Sequence, residues 1–416
     1  MKPKISFSEE QKDWIKRPLL SNIEKILDYR GRTPKKLGLS WSGTGYLALS
    51  ALNVKNGYID FKADANYGDQ ELYDRWMGDN HLHKGQVVFT TEAPMGNVAQ
   101  IPNDDLYILS QRTIAFEVKR DSIREDFLAT LLRSPKIFNE LTSLSSGGTA
   151  KGVSQKSLSN LKVCLPTSLE EQSVIGSLFR TLDDLLTSYK DNLINYQALK
   201  ATMLSKMFPK AGQTVPEIRL NGFDGEWEVQ SLKKLASFSK GNGYTKSDLV
   251  NSGNEIILYG QLYTNYQTVI SMVNTFVLET REKSVISKGG EVVVPASGES
   301  AEDISRASVI EKSGVIIGGD LNIIYPDENK VDSIFLALTI SNGSQQKELI
   351  KRAQGKSVVH LRNNDLEKVV LHYPSMEEQR AIGAYFSNLD NLINFHQEKI
   401  SRLETLKKKL LQDMFI

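Results

Sequence analysis

The sequence has few of the residues that mark disulfide-bonded, metal-binding or membrane proteins. Its 416 residues include one cysteine, Cys164, and five histidines, which excludes an intrachain disulfide framework and argues against structural zinc. No window approaches about eighteen consecutive apolar residues, and the first residues contain no apolar segment typical of a signal peptide. We therefore expect a soluble cytoplasmic protein without a metal site.

The sequence also lacks a strong charge of either sign. The formal net charge is +1, so overall charge does not indicate a nucleic-acid partner. Residues 1–168 hold 23 Lys and Arg against 19 Asp and Glu, whereas residues 210–375 hold 18 against 20. Any nucleic-acid surface must therefore be a local patch. The length predicts two or more globular domains.

Two segments of the chain are copies of one another. Aligning each residue from Glu170 to Phe208 with the residue 207 positions later gives fourteen identities in thirty-nine positions, where chance would give about two or three. The copies open with PTSLEEQ and PSMEEQ. Ser168 and Ser375 each precede a glutamate by three residues, a spacing that predicts a capping box and the start of a long helix.

Apolar residues recur along both copies at alternating steps of three and four, which predicts a heptad seam. Asn192 and Lys399 interrupt it at equivalent positions. They either fix the register or mark a stutter at which Leu193 and Ile400 take over the seam. The predicted seam comprises Ile175, Leu178, Leu182, Leu185, Tyr189, Tyr196, Leu199 and Met203 in the first copy, and Ile382, Tyr385, Leu389, Leu392, His396, Leu403, Leu406 and Leu410 in the second.

The segments upstream of the two helices also correspond, although faintly. Trp14 aligns with Trp227, and runs such as QVVFT and EVVVPA alternate with short helical patterns, as expected for a mixed α/β domain. The predicted fold class is mixed α+β domains with two long helices that form an antiparallel coiled coil, related by a pseudo-twofold repeat. The predicted segments are two globular domains at 1–165 and 227–373, helices at 166–208 and 374–416, and a linker at 209–226.

The duplicated helix opening, the GRTP after the first Trp-led strand and the stretches TTEAPMGNVAQI and SQRTIAFE resemble the specificity subunit of a Type I restriction-modification enzyme. The resemblance covers essentially the whole chain. It implies that each globular domain is a target recognition domain reading one half of a split, asymmetric DNA site. It also implies that the paired helices set the gap between the two half-sites.

The resemblance further implies a subunit without catalysis of its own. Two modification subunits, which carry S-adenosylmethionine and methylate adenine, would dock on the helices, and restriction subunits that use ATP and Mg²⁺ would join the assembly. This chain would need no cofactor. Equivalent positions at the helix starts, including two interior glycines where a partner could approach closely, are the docking candidates: Ile175, Gly176, Phe179, Leu182, Ile382, Gly383, Phe386 and Leu389.

Candidate DNA contacts lie on loops rich in glycine and cations, where phosphate contacts and base-edge hydrogen bonds are both possible. The alternative is that these loops are only solvated or structural and do not contact DNA. In the first domain we select Arg30, Arg32, Lys35, Lys36, Arg112, Thr149, Lys151 and Gln155, and in the second Lys240, Asn242, Tyr244, Lys246, Gln261, Tyr263, Asn265, Lys356 and Arg362.

Enzymatic alternatives fit poorly. AQGKS, ending at Ser357, lacks the first glycine of a phosphate loop because Ile350 occupies that position. Asp327 and Glu328 are adjacent and therefore unsuited to share a metal from separate strands. Two alternatives stay open: a helical scaffold whose globular domains bind protein partners, and a DNA-binding regulator that works alone.

Overall fold

Two compact units divide the chain between them. The structure is a computed structural model that describes residues 13–145, 152–355 and 358–415. The first unit comprises Met1–Lys190 together with Glu398–Ile416, and the second comprises Asp191–Gln397. This division cuts both long helices, so each helix contributes its beginning to one unit and its end to the other.

The first unit alternates short strands with short helices. The strands are β1 (Ile15–Pro18), β2 (Ile23–Asp28), β3 (Tyr46–Leu49), β4 (Tyr67–Gly68), β5 (Val87–Thr90), β6 (Val98–Gln100), β7 (Ile108–Leu109), β8 (Thr113–Val118) and β9 (Lys162–Leu165). The helices are α1 (Gln70–Met77), α2 (Glu125–Arg133), α3 (Pro135–Leu144) and α4 (Gln155–Asn160), followed by the first long helix, α5 (Leu169–Lys206).

The second unit repeats this plan with additional strands. Its strands are β10 (Glu228–Ser231), β11 (Ala236–Lys240), β12 (Leu249–Val250), β13 (Asn254–Ile257), β14 (Val269–Ile270), β15 (Phe276–Val277), β16 (Val285–Ile286), β17 (Glu291–Pro295), β18 (Ser297–Gly298), β19 (Ser308–Ile310), β20 (Ile316–Ile317), β21 (Leu321–Pro326), β22 (Val359–His360) and β23 (Val370–Tyr373). Its helices are α6 (Gln261–Thr264), α7 (Ala301–Ile304), α8 (Ser333–Ile340), α9 (Gly343–Arg352) and α10 (Asn363–Leu366), and the second long helix is α11 (Met376–Met414).

The main sheets of the two units have matching strand orders. The first unit has β2-β8-β5-β6, and the second has β11-β21-β17-β19 with β14 added at the edge. The central strands are built from buried β-branched and aromatic residues, as in β5 and β17, which suits positions covered on both faces. A second sheet in each unit contains one parallel pair, β3 with β7 and β13 with β20. The predicted mixed fold and internal repeat are confirmed.

Within each unit the two long helices run antiparallel. In the first unit Asp183 pairs with Lys407 and Lys190 with Glu404, so one residue number rises as the other falls. In the second unit the rings of Tyr196 and His396 lie 5.3 Å apart, and Lys200 pairs with Asp390. The antiparallel pairing is therefore confirmed inside both units.

The buried seam differs from the predicted one at two leucine positions of each helix. Leu185 and Leu392, predicted in the seam, are 42% and 39% exposed, whereas Leu186 is buried. From this point the half-buried residues continue through Leu193 and Ile400, while Asn192 is exposed. Of the two open alternatives, the stutter is the one found, and it places Leu199 and Leu406 outside the seam as well.

A glutamine fastens the start of each long helix to a short helix of the same unit. Gln172 accepts a hydrogen bond from Arg124 N at 2.9 Å and donates to Pro166 O at 3.0 Å. Gln379 accepts from Asp332 N and donates to Pro374 O, both at 2.9 Å. Both side chains are fully buried. The duplicated Glu-Glu-Gln opening is therefore explained by the same structural clamp used twice.

The predicted serine caps are present, but the glutamates of the capping boxes bond elsewhere. Ser168 Oγ accepts from Glu171 N at 3.2 Å, and Ser375 Oγ accepts from Glu378 N at 3.4 Å. The Glu171 carboxylate accepts from the Trp14 indole N–H at 3.3 Å. Glu378 instead pairs with Arg219 at 2.7 Å. The serine half of each predicted capping box is therefore present, whereas the glutamate contacts a residue distant in sequence.

The end of each long helix completes a hydrophobic core near the start of the other. The Phe415 ring lies 5.8 Å from the rings of both Trp14 and Phe127 in the first unit. Phe208, its counterpart 207 residues earlier, lies 6.2 Å from the Trp227 ring and 5.8 Å from the Phe335 ring in the second. The first unit therefore depends on a segment distant in sequence, whereas Phe208 belongs to the continuous stretch that forms the second unit.

Residues 209–226, predicted as a linker, are packed onto the second unit. Ile218 and Leu220 contact its core, and Glu217 pairs with Lys206 at 2.7 Å and Lys210 at 3.1 Å. The segment includes Arg219, which anchors Glu378. It is an ordered connection and not a free tether.

Candidate nucleic-acid interface

Several loops of the first unit meet where β2 and β5 end and β8 begins. Asp28, the last residue of β2, pairs in register with Ile114 of β8. Glu92, just beyond β5, forms a bridge with Gly152, and Gln155 Nε2 donates to Asp28 Oδ2 at 3.0 Å. We call this surface, formed by residues 28–36, 91–92, 111–112 and 152–155, the first loop face.

Two of the predicted arginines lie on the first loop face, each beside a carboxylate. Arg30 Nε is 2.9 Å from Asp28 Oδ2, and Arg112 Nε is 3.0 Å from Glu92 Oε1. Burial raises the pKa of Asp28, but hydrogen bonds from Arg30 and Gln155 outweigh it and hold that pKa below its ordinary value. Hydrogen bonding to Asp28 raises the pKa of Arg30. Both members of this pair are therefore charged at neutral pH.

The remaining predicted cations of this loop differ in what they can do. Lys35 and Lys36 lie exposed on a 3₁₀ turn that Thr33 caps, and Lys36 Nζ donates to Gly31 O at 2.6 Å. Arg32 is half-buried; its guanidinium lies 4.8 Å from the centre of the Tyr29 ring and donates to a backbone carbonyl. Arg32 therefore holds the loop together, and its assignment as a DNA contact stays a prediction. Thr149 and Lys151 lie outside the described residues.

The second unit has a corresponding surface at the ends of β11, β17 and β21. Lys240 ends β11 opposite Asn322 of β21, Ser297 pairs with His360, and Asn363 Nδ2 donates to Ser239 O at 2.9 Å. We call residues 239–242, 297–300, 320–322 and 360–363 the second loop face.

The predicted cations of the second loop face that the structure describes have no acidic partner, unlike Arg30 and Arg112 of the first. Among the described residues, Lys240 and Arg362 are exposed and form no ion pair. They are therefore available for a ligand. The predicted Lys356 lies outside the described residues.

In the loop after β11, one predicted DNA contact is buried in the structure. Tyr244 is 6% exposed; its hydroxyl donates to Glu279 O at 3.1 Å, and Arg281 lies 4.3 Å from the centre of its ring. These contacts correct the prediction that Tyr244 binds DNA. Asn242 and Lys246 are exposed, although Asn242 Nδ2 donates to Lys283 O at 3.0 Å.

The run YGQLYTNYQT, residues 259–268, contains the short helix α6. Gln261 uses its amide internally, because Oε1 accepts from Leu258 N at 2.9 Å and Nε2 donates to Thr275 Oγ1 at 2.6 Å. This corrects its assignment as a base reader. Desolvation raises the pKa of Tyr263, and neighbouring Tyr259, Glu299 and Asp303 add to the shift. Asn265 is exposed and remains a candidate.

The predicted docking residues of the long helices are not accessible. Their side chains pack into the cores of their own units. No side chain of the following six residues is more than 6% exposed: Ile175, Phe179, Leu182, Ile382, Phe386 and Leu389. Gly176 and Gly383 each lie against a short helix of the same unit, α2 and α8 respectively. A Cβ at Gly176 would lie 2.5 Å from Asp126 Cβ, whereas one at Gly383 would lie 3.4 Å from Ile334. The close approach expected from a partner is made within the unit, which corrects the docking assignment.

Sequence reasoning missed the acidic residues of the first loop face. Asp28 and Glu92 each hold an arginine there. The two-residue spacing of Asp28 and Arg30 at the end of a strand could have indicated their ion pair. Nothing in the sequence pairs Glu92 with Arg112, because a strand pairing brings them together.

The residues that the structure describes contain no cluster of three or more His, Cys, Asp or Glu side chains arranged to hold a metal ion. They also contain no helix with the length and apolar character needed to cross a bilayer.

A family model described as the Type I restriction modification DNA specificity domain matches residues 20–196 and 224–405. The Type I restriction enzyme MjaVIII specificity subunit of Methanocaldococcus jannaschii is 23% identical over 316 residues, covering 73% of this chain and 72% of that protein. The putative MjaX specificity subunit of the same organism is 22% identical over 429 residues, covering 98% and 94%.

A solved structure agrees with these matches at the level of the fold. The crystal structure of the Type I restriction-modification S subunit from M. genitalium superimposes with a TM-score of 0.65 at 15% identity. It covers 100% of this chain and 99% of that one.

Proposed function

The chain belongs to the Type I restriction modification DNA specificity family, and from that premise we propose that each unit reads one half of a split, asymmetric DNA site. The observation that supports this most is the pair of loop faces. They occupy the same end of equivalent sheets in the two units, yet carry different side chains. Equivalent scaffolds with different loops suit two different half-sites.

The two long helices would set the gap between the half-sites. Each is continuous over 38 or 39 residues, which corresponds to about 57 Å at about 1.5 Å per residue. One turn of DNA is about 34 Å. Units separated by such helices could face major-groove segments divided by several unread base pairs.

Two modification subunits would dock on exposed leucines of the helices. Leu185 and Leu406 belong to the first unit, and their repeat equivalents Leu392 and Leu199 belong to the second. All four are 36–45% exposed although they lie beside a buried seam. Apolar side chains repeated at equivalent places suit two copies of one partner.

Catalysis would reside entirely in the partners. The modification subunits would bind S-adenosylmethionine and methylate adenine, and the restriction subunits would use ATP and Mg²⁺. This chain would contribute double-stranded DNA recognition and assembly without a cofactor of its own.

The decisive experiment is to co-express the chain with its cognate modification subunit and map methylated adenines across the host genome. A split motif with a fixed gap is the expected result. No motif from a complex that has demonstrably formed would contradict the proposal and favour protein ligands for the two units.

The spacer role has its own test. Four residues inserted after Asn192, and four more after Lys399, would lengthen both helices by about 6 Å, or roughly two base pairs. We expect the gap in the methylated motif to lengthen while both half-sites stay the same. An unchanged gap in an active complex would rule out the spacer role.

Docking can be tested by co-purification. Asp substituted at both Leu185 and Leu392 should release the modification subunits, because charge at an apolar contact is costly. Ile194→Asp is a matched control: Ile194 is 61% exposed on the same helix, and its repeat equivalent is Ser401. Equal loss of partner from both proteins would contradict docking at the repeated leucines.

A further inference from the structure

The geometry of the first loop face distinguishes its arginines from its lysines. Arg30 pairs with Asp28 through one side of its guanidinium: Nε is 2.9 Å from Asp28 Oδ2, and Nη2 is 2.5 Å from the same oxygen. A guanidinium has five N–H groups in a fixed fork. This pairing leaves Nη1 and one N–H of Nη2 free, and these groups together form the end of the fork.

The end of the fork is the part of arginine that binds guanine. It can donate two parallel hydrogen bonds to the O6 and N7 acceptors in the major groove. The side chains of Arg30 and Arg112 are 38% and 58% exposed, so a ligand can reach both. A lysine ammonium has no such fork and acts as a point charge.

The carboxylates restrict where each fork can point. Asp28 is itself fixed, because it also accepts from Arg30 N at 3.0 Å and from Gln155 Nε2 at 3.0 Å. Its side chain is 9% exposed. Glu92 is attached through its backbone to Gly152, and its Oε1 forms an ion pair with Arg112 Nε at 3.0 Å. An arginine held in place loses less conformational entropy on binding.

From these contacts we infer that Asp28 and Glu92 are positioning residues that aim Arg30 and Arg112 at guanine, so the half-site read by the first unit contains guanines. This inference rests on the proposed function. It assigns base reading to Arg30 and Arg112 and phosphate contacts to Lys35 and Lys36, while Arg32 holds the loop together. The second loop face, whose Lys240 and Arg362 have no acidic partner among the described residues, would read its half-site differently.

The alternative is that these are ordinary surface ion pairs. Exposed pairs contribute little to stability, so their loss would alter neither folding nor sequence preference. A readout of specificity therefore separates the two roles.

The test maps methylated adenines for complexes that carry Asp28→Asn or Glu92→Gln, which keep the side-chain shape and remove the charge. Each should relax one guanine position of one half-site, by about 10- to 100-fold in relative methylation. The other half-site and the gap should stay the same. Glu71→Gln is the control, because Glu71 pairs with Arg75 on helix α1 with both side chains exposed.

Arg30→Lys and Arg112→Lys add a second measurement. These changes keep the positive charge and remove the fork, so they should relax the same positions as Asp28→Asn and Glu92→Gln. If the lysine variants keep the wild-type motif, the arginines contact phosphate and the inference is wrong. A wild-type first half-site without any G·C pair would also overturn it. Absence of a split motif from the wild-type complex would instead refute the proposed function.

Discussion

Asp183 and Lys407 form an ion pair in the first unit that is the repeat image of the pair between Asp390 and Lys200 in the second. Adding 207 to Asp183 gives Asp390, and subtracting 207 from Lys407 gives Lys200. Both lysine side chains are 20% exposed. The duplication has therefore preserved a contact between the two copies and not only the sequence of each.

The two pairs should respond differently to the loss of lysine. Asp183 has a second cation, Arg133, at 2.5 Å, whereas Asp390 has only a hydroxyl contact, from Thr268 Oγ1 at 3.3 Å, among its remaining described partners. Lys200→Met should therefore destabilise the second unit by about 1–3 kcal/mol, and Lys407→Met should cost less in the first. Urea unfolding of each variant measures the difference.

Tryptophan fluorescence can report on the units separately, since Trp14, Trp41 and Trp76 lie in the first and Trp227 lies in the second. Arg402→Met is the control, because its exposed pair with Glu398 should contribute little. Equal destabilisation by Lys200→Met and Lys407→Met would contradict the compensating role of Arg133.

Alanine at the two equivalent helix glycines should affect stability differently. Alanine favours a helix interior over glycine by about 1 kcal/mol. At Gly176 the added methyl would lie 2.5 Å from Asp126 Cβ and 3.0 Å from backbone atoms, so the helix must move. At Gly383 the nearest atoms, of Ile334, are 3.4 Å away. Thermal unfolding should show Gly176→Ala destabilised and Gly383→Ala unchanged or stabilised; the reverse order would refute this packing.

Replacing the phenylalanine at the end of either long helix should destabilise only the unit whose core that ring completes. Phe415→Ala removes a ring packed on Trp14 and Phe127, and Phe208→Ala removes its counterpart. Burial of such rings makes the expected cost about 3–5 kcal/mol. Hydrogen exchange should localise the loss of protection to the first unit for Phe415 and the second for Phe208. Phe395→Ala, at a side chain 44% exposed, should cost much less.

Paired lysines on the first loop face should contribute to DNA affinity without sequence preference. Replacing Lys35 and Lys36 with Ala should lower the slope of log affinity against log salt by up to about two. Lys119 and Arg120 provide the control, because they are exposed just beyond the opposite end of β8. Fluorescence anisotropy at several salt concentrations measures both double variants. A control that lowers the slope equally would show that the loop face has no special role.

The sequence predicted the regular elements well because their signals are local. The buried runs of β5 and β17 and the serine caps at Ser168 and Ser375 were all recognisable from short patterns. The predicted heptad seam was wrong at Leu185 and Leu199, although Tyr189, Tyr196 and Met203 are half-buried where it placed them. Steps of three and four fit both Leu185 and Leu186, and only packing against the other helix separates them.

The candidate interface was predicted less well because its residues are brought together by tertiary contacts. Tyr244 and Gln261 have the residue types of a DNA contact, but the fold uses their polar groups. A glutamine in a polar run gives no local indication that its amide caps a turn and meets Thr275. The buried clamps Gln172 and Gln379 were visible as a repeat, yet their role depended on backbone groups far along the chain.

The placement of Phe415 has a consequence for how the protein is made. The ribosome completes residues 13–190 of the first unit more than two hundred codons before it reaches Glu398. Until Met414 and Phe415 emerge, Trp14 and Phe127 lack the aromatic ring that covers them, whereas the second unit receives Phe208 ahead of its own strands. The half synthesised first is therefore the half finished last, and a chain released early would leave an apolar surface open to chaperones and proteases.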